Sequence, residues 1–125
     1  MSDIKELTKK INQWVAERGW EKAQKPKDLA ISLSLEAAEV LEHFQWKNER
    51  KVAKHIKENK EELADELADV AIYLLKLADK TKIDLRTAVE NKLIKASKKY
   101  PVEVVKGNSK EYYNLKKQAR AQRPL

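Results

Sequence analysis

Long stretches without glycine or proline are the feature that most narrows the folds open to this chain. Neither residue occurs between Pro26 and Pro101, and the 125 residues hold only two glycines and three prolines. Apolar residues recur along the chain at spacings of three and four, which is the period of an α-helix. Ala, Leu, Lys and Glu, which favour helices, are abundant. The sequence therefore predicts an all-α protein with one domain and a modest core.

Four amphipathic helices are predicted, and together they indicate a four-helix bundle. Capping and helix-breaking residues place them at about residues 3–18, 26–46, 61–80 and 84–100. Residues 47–59 are expected to form a connecting loop with a helical piece. The residues expected in the core are Ile4, Leu7, Ile11, Trp14, Val15, Leu29, Leu33, Ala37, Val40, Leu41, Phe44, Leu63, Leu67, Val70, Leu74, Leu77, Leu85, Ala88, Val89, Leu93 and Ala96.

The net charge of +7 is concentrated towards the C-terminal side. Residues 92–125 carry ten Lys or Arg and two acids, whereas residues 1–91 carry 17 basic and 18 acidic residues. We therefore divide the chain into a helical domain, residues 1–101, and a basic C-terminal extension, residues 102–125, with a short helix predicted over 111–121. The basic stretch either steers polyanionic ligands or forms a solvated surface.

The absence of cysteine excludes disulfides and thiolate metal sites. The sequence contains no apolar segment of signal-peptide or membrane-spanning length. We therefore expect a cytoplasmic protein that does not associate with membranes.

Two pairs of acids stand on two of the predicted helices. Glu36 and Glu39 belong to the second helix, and Glu66 and Asp69 belong to the third. Residues three apart share a helix face, so each pair points two carboxylates in one direction. Converging carboxylates need a counter-charge, which a hard divalent cation such as Mg²⁺ supplies. The pattern indicates a metal-dependent enzyme that acts on phosphate esters or anhydrides.

Spacing alone leaves an ordinary charged helix surface open as an alternative. Glu62 and Asp65 repeat the same spacing, although Glu66 and Asp69 adjoin the apolar run Val70–Leu75 and are therefore favoured. Other metal and phosphate sites are less compatible with the sequence. A di-iron bundle requires Glu-x-x-His motifs, which the chain lacks, and two glycines cannot build a Walker-type phosphate loop.

Aromatic residues accompany both acidic stripes. Trp46 follows Glu36 and Glu39 on the second helix, and Tyr73 follows Asp69 on the third. A nucleobase could stack on such a surface beside a metal-bound phosphate. Packing in the core or against another subunit is the alternative for these residues and for Trp20.

The acid motifs and their apolar context resemble the MazG-like all-α nucleoside triphosphate pyrophosphohydrolases, most nearly the dCTP pyrophosphatase-like branch. The resemblance is carried by LEAAEVLEHFQW at residues 35–46 and ELADVAIYLL at residues 66–75. The family motif is ExxE, an interval of variable length, here residues 40–65, and then ExxD. The resemblance extends from about Trp14 through Pro101.

The resemblance implies a Mg²⁺-dependent conversion of NTP or dNTP into the monophosphate and pyrophosphate, which serves nucleotide-pool housekeeping. Glu36, Glu39, Glu66 and Asp69 would bind Mg²⁺, with Mn²⁺ as an alternative ion. Either Glu36 or Glu39 would act as general base towards the attacking water. The family usually forms homodimers or homotetramers with pockets at subunit boundaries.

The residues implied for substrate binding are Trp20, Trp46 and Tyr73, and we add Lys92 and Lys95 as candidate phosphate contacts. The dCTP-specific members carry a His where this chain has Ile11, and many relatives carry an Asn where it has Ala96. These departures leave the base and sugar preference open. Two alternatives to the enzyme are a helical nucleic-acid-binding module that uses the basic stretch, which the acidic stripes disfavour, and a non-catalytic nucleotide-binding regulator.

Overall fold

The computed structural model describes residues 3–123, and the regular structure in that range is helical. The helices are α1 (Asp3–Glu17), α2 (Pro26–Glu42), α3 (Glu49–Glu58), α4 (Lys60–Lys80), α5 (Leu85–Lys99), α6 (Val102–Val105) and α7 (Ser109–Ala121), with a 3₁₀ turn at Glu21–Ala23. The predicted all-α class is confirmed, and the four long helices of the sequence prediction are α1, α2, α4 and α5. None of the helices in residues 3–123 is long and apolar enough to span a membrane.

The end of α1 and the start of α2 follow the local sequence rules. Gly19 adopts a left-handed φ of +68°. The N–H groups of Gly19 and Trp20 donate to the carbonyls of Ala16 and Val15 at 3.0 and 3.2 Å, which is the Schellman ending of a helix. Pro26 then occupies the first turn of α2, where its missing N–H has no consequence. Gly19 therefore determines where α1 ends, and Pro26 determines where α2 begins.

The segment between α2 and α4 is more helical than the sequence predicted. A ten-residue helix, α3, occupies most of the expected connecting loop. Its N-terminus is capped by the Asn48 side chain, which accepts a hydrogen bond from the Lys51 backbone N–H at 2.9 Å. Near the C-terminal side, α6 was not predicted, and α7 begins at Ser109 because Asn108 caps it by accepting from the Glu111 N–H at 3.1 Å.

The chain forms two compact units, and the first comprises the described residues up to Leu85. In this unit α4 is the central helix: α2 packs along it, and α1 and α3 also contact it. The buried apolar residues are Val15, Leu29, Leu75 and Ala78. A hydrogen bond of 3.1 Å from Asn12 Nδ2 to Asp79 Oδ2 further joins α1 to α4. The packing of α2 on α4 is what brings the two acid motifs together.

The predicted core was too large. Several residues assigned to it are substantially exposed, namely Leu7, Trp14, Leu41, Leu67, Leu74, Val89 and Leu93. Helical periodicity defines an apolar face but not how much of that face the neighbouring helices cover, so parts of the predicted apolar faces remain accessible to solvent. The charged Lys76 is buried instead, which the sequence analysis did not predict.

The second unit comprises the described residues from Arg86 onwards. Within it α6 packs against α7, and the rings of Tyr100 and Tyr112 lie 5.1 Å apart. Lys92 and Lys95 are exposed on α5. The division into residues 1–101 and 102–125 stays a prediction.

Candidate metal and nucleotide site

Three carboxylates from the two acid motifs converge between α2 and α4. One oxygen from each of Glu36, Glu39 and Glu66 lies within 4.8 Å of the others. Glu36 and Glu66 are half-buried, whereas Glu39 is exposed. We call these three residues the acidic cluster. Their oxygens are close enough to share one cation, and their mutual repulsion without one favours its binding.

Two oxygens of the acidic cluster lack any hydrogen-bond partner. Glu36 Oε2 and Glu66 Oε2 are buried and accept no hydrogen bond from the described residues. Buried polar atoms are almost always satisfied, so these two oxygens are available to bind a ligand. Carboxylate oxygens are the donors that Mg²⁺ and other hard divalent ions prefer. The residues present therefore fit a divalent metal ion.

Two carboxyls of the acidic cluster, those of Glu36 and Glu66, have raised pKa values. Burial raises the pKa of Glu36 above its ordinary value, and a hydrogen bond to Glu39 and the charges of Glu39, Asp69 and Glu66 add to that rise. The pKa of Glu66 is raised first by its hydrogen bond to Glu39, then by burial and by the charges of Glu39 and Asp69, while nearby His43 opposes the rise. Both carboxyls therefore hold their protons more strongly than an ordinary glutamic acid does.

Asp69, the fourth predicted metal ligand, stands at the edge of the cluster. It is not among the three residues whose oxygens lie within 4.8 Å of one another. Its charge nonetheless acts on both Glu36 and Glu66, and its side chain lines a neighbouring cavity. Asp69 therefore connects the acidic cluster to the space in which a ligand would lie.

That cavity has a volume of about 350 Å³ and lies between α1 and α4. We call it the α1–α4 cavity. Its lining residues are Lys10, Ile11, Trp14, Asp69, Ile72, Tyr73 and Lys76. A larger cavity of about 510 Å³ lies between α1 and the C-terminal part of α4, and none of the four predicted acids lines it. We assign the ligand site to the smaller cavity because it adjoins the carboxylates.

Aromatic side chains build one wall of the α1–α4 cavity. Trp14 is held by Trp20, whose ring meets it edge-on at 5.3 Å, and by Arg18, whose guanidinium lies 4.1 Å from the Trp14 ring centre. Tyr73 contributes a second aromatic ring from α4. Flat aromatic surfaces beside a phosphate-binding region suit a nucleobase.

A histidine pair braces the side of the site next to Glu66. His43 Nδ1 and His55 Nε2 are 2.7 Å apart, and Asn59 Nδ2 donates to His55 Nδ1 at 3.2 Å. These contacts between His43, His55 and Asn59 join the end of α2 to α3 and to the start of α4. They therefore hold together the two helices that carry the acids.

The other predicted substrate residues are distributed differently. Trp20 reaches the cavity only through its contact with Trp14. Trp46 follows α2, is 91% exposed and has a positive φ of 66°, which is uncommon for a bulky residue. Neither Trp46 nor Lys92 nor Lys95 lines the α1–α4 cavity. Their substrate roles stay predictions.

The structure adds residues that the sequence analysis did not assign to the site. Trp14 and Lys10 come from α1, which the acid motifs gave no reason to place beside α4. Lys76 comes from α4 itself and continues the spacing of Asp69 and Tyr73 by three residues. That spacing was the available signal for Lys76, but its burial depends on how α1 covers α4.

An all-helical chain whose carboxylates converge beside an aromatic cavity belongs to the class of proteins that could hold a divalent metal ion. The MazG-like family matches residues 31–115. The dCTP pyrophosphatase 1 of Rattus norvegicus is 36% identical over 105 residues, and that of Homo sapiens is 34% identical over the same length. A crystal structure of a pyrophosphatase from Archaeoglobus fulgidus has a TM-score of 0.76 and 39% identity, covering 81% of this chain and 94% of that chain.

The chain therefore belongs to the MazG-like family, as the sequence resemblance predicted. The matches to the two dCTP pyrophosphatases cover 82% of this chain and 62% of each relative. The chain thus spans somewhat less than two thirds of the length of these curated relatives.

Proposed function

We propose that this chain is a Mg²⁺-dependent nucleotide pyrophosphohydrolase that converts NTP or dNTP into the monophosphate and pyrophosphate. The observation that carries the proposal is the pair of buried, unpartnered oxygens, Glu36 Oε2 and Glu66 Oε2, in the acidic cluster. Membership of the MazG-like family and the names of the similar proteins support the same chemistry. The cellular role would be housekeeping of the cytoplasmic nucleotide pool.

Glu36, Glu39, Glu66 and Asp69 would hold the metal ion, with Mn²⁺ as an alternative to Mg²⁺. When bound, the ion neutralises charge on the triphosphate and on the departing pyrophosphate. The acids would supply the ligands and determine where the ion lies. Glu36 and Glu39 stand one turn apart on α2 and face Glu66 on α4. Asp69 extends the ligand set towards the α1–α4 cavity.

The reaction would begin with attack of a water oxygen on the α-phosphorus. A new bond forms from that oxygen to the phosphorus, and the bond from the phosphorus to the oxygen shared with the β-phosphate breaks, so that pyrophosphate leaves. Glu36 or Glu39 takes the proton of the water. Glu36 is half-buried, whereas the exposure of Glu39 gives it direct access to solvent water.

The nucleoside would lie in the α1–α4 cavity, with its sugar beside Tyr73 and its base against the ring of Trp14. Trp20 supports this wall through its edge-on contact with Trp14. Lys92 and Lys95 are proposed to contact phosphate from α5. The triphosphate then extends from the cavity towards the acidic cluster, with Asp69 between the two.

We further propose that the active protein is a homodimer or homotetramer in which Trp46 completes the substrate site from a subunit boundary. The 91% exposure of Trp46 supports this assembly, as does the exposure of Leu35 and Leu41 on α2 and of Leu67 on α4. Apolar residues exposed along neighbouring helices commonly mark an interface. Size-exclusion chromatography with light scattering tests the assembly, since a purely monomeric mass would contradict it.

The experiment that tests the acidic site compares two neighbouring motifs on one helix. Glu66→Gln and Asp69→Asn remove charge from the site, whereas Glu62→Gln and Asp65→Asn remove it from exposed positions one turn earlier. We expect the first two variants to lose about a hundredfold or more in turnover, because even indirect partners of metal ligands commonly contribute 10–100-fold. The two control variants should stay within about twofold of the parent protein.

The assay measures monophosphate and pyrophosphate from a panel of NTPs and dNTPs, with Mg²⁺ and with EDTA. Full activity in Glu66→Gln and Asp69→Asn would refute the site. Turnover that persists in EDTA would refute the dependence on metal.

A further inference from the structure

Lys76 is the buried charged residue of the described chain. Its relative exposure is 8%, and its ammonium lies 4.9 Å from the centre of the Tyr73 ring. None of the salt bridges or side-chain hydrogen bonds found within residues 3–123 includes it. Burial lowers the pKa of Lys76, which reflects the cost of keeping this charge away from water. A buried cation whose partner is only an aromatic ring is poorly compensated.

The Lys76 side chain lines the α1–α4 cavity together with Asp69 and Tyr73. These three residues follow one another on the same face of α4 at spacings of four and three. At 1.5 Å per residue, Lys76 stands about 10 Å along the helix from Asp69. The order along this face is therefore a metal-ligand carboxylate, an aromatic ring and a buried ammonium.

This order matches the order of groups in a nucleotide. With the triphosphate at Asp69 and the sugar beside Tyr73, the nucleobase would reach the end of the cavity where Lys76 lies. The other residues that line the cavity are Lys10, Ile11, Trp14 and Ile72. The isoleucines offer no hydrogen bonds, the indole offers only a donor, and Lys10 is an exposed residue that likewise only donates. The buried polar group available to read the edge of the base is therefore the Lys76 ammonium.

We propose that Lys76 reads the nucleobase and selects nucleotides that carry a keto oxygen on the recognised edge. The ammonium has three N–H donors and no acceptor, so it pairs with O6 of guanine or O4 of thymine and uracil. The amino groups of cytosine and adenine at the equivalent positions are donors and cannot accept a hydrogen bond from the ammonium. The inference rests on the proposed pyrophosphohydrolase function and names its substrate class.

The test measures kcat/KM of the full chain with Mg²⁺ for dGTP, dTTP, dATP and dCTP. Lys76→Met keeps the length and apolar stem of the side chain but removes the donor. Lys80→Met is the matched control, because Lys80 lies one turn further along α4, is exposed and does not line the cavity. We expect the preference for the keto bases over the amino bases to fall about tenfold in Lys76→Met. Lys80→Met should preserve that preference.

A second comparison requires no mutation. The deoxynucleoside triphosphate of 2-aminopurine differs from dGTP in lacking O6 and the accompanying ring N–H. The parent protein should cleave it about tenfold less efficiently than dGTP. This comparison remains decisive if Lys76→Met fails to fold, because it uses only the parent chain.

The outcomes separate the inference from the function on which it rests. Cleavage of all four dNTPs without a keto preference, or an equal loss for every base in Lys76→Met, would overturn base reading while leaving the pyrophosphohydrolase intact. An equal loss would assign Lys76 to phosphate binding or to packing. Absence of cleavage of any nucleotide by the parent protein would overturn both.

Discussion

Removal of one charge from the acidic cluster should make the metal-free protein more stable. In Glu36→Gln the repulsion between Glu36 and Glu39 disappears, and the two oxygens concerned lie within 4.8 Å of each other. Coulomb's law gives about 0.9 kcal/mol for two unit charges at that distance in water, and about 3.5 kcal/mol at an effective dielectric constant of 20. We adopt the lower value, about 1 kcal/mol, because the site is open to solvent and therefore screened.

The same substitution has a defined dependence on pH. The pKa of Glu36 is raised in the folded protein, so the folded state binds this proton more tightly than the unfolded state. Its stabilising contribution is complete below the unfolded value of 4.5 and is lost as the pH rises through the raised folded value. The free energy of unfolding of Glu36→Gln should therefore exceed that of the parent only slightly in acid and by the full amount near neutral pH.

The assay is urea unfolding at a fixed protein concentration, in EDTA and in Mg²⁺, at about pH 4 and about pH 7.5. In EDTA at the higher pH, Glu36→Gln should be more stable than the parent by about 1 kcal/mol. In Mg²⁺ the order should reverse, because the parent gains binding free energy that the variant has lost. Glu62→Gln, at an exposed position, serves as the control. A variant that is less stable than the parent in EDTA, or that Mg²⁺ stabilises equally, would refute the reasoning.

Four further substitutions test the packing and the site. Leu29→Ala should lower the free energy of unfolding by about 2–5 kcal/mol because Leu29 is only 2% exposed, whereas Leu7→Ala at 49% exposure should lower it far less. Urea unfolding of both variants compares them directly. His55→Ala should lower the free energy of unfolding by about 1–3 kcal/mol, because it leaves His43 without its partner at 2.7 Å. An unchanged urea midpoint would show that the histidine pair does not brace the helices. Trp46→Ala should raise KM if Trp46 contacts the substrate, and it should change the stability of the subunit little because Trp46 is 91% exposed. Steady-state kinetics and thermal unfolding measure the two effects. An unchanged KM would show that Trp46 is not part of the substrate site.

Local rules predicted the helices more accurately than they predicted the packing. Gly19 and Pro26 fixed the turn between α1 and α2 because each acts within a few residues. The signal for α3 is also local, since Asn48 caps it, but the charged residues that follow favour a connecting loop with a helical piece over a complete helix. Exposure of Leu41 and Leu67 could not be predicted, because helical periodicity defines an apolar face but not how much of it a neighbour covers.

The acidic cluster is the part of the candidate site that the sequence predicts, because both helices that form it carry an acid motif. The spacing of the acids and the contact between α2 and α4 suffice to bring Glu36, Glu39 and Glu66 together. The histidine pair and the burial of Lys76 depend instead on the placement of α3 and α1 against α4. Charged and polar side chains give little sequence signal for burial, because the same residue types dominate exposed helix surfaces.

The central claim is that the acidic cluster directs water to the α-phosphorus of a nucleoside triphosphate. Turnover of a cleaved dNTP in ¹⁸O-labelled water, followed by mass analysis of both products, tests it most directly. We predict that the label enters the monophosphate, that pyrophosphate remains unlabelled, and that both products vanish in EDTA. Label in pyrophosphate, or release of diphosphate and inorganic phosphate, would contradict the account.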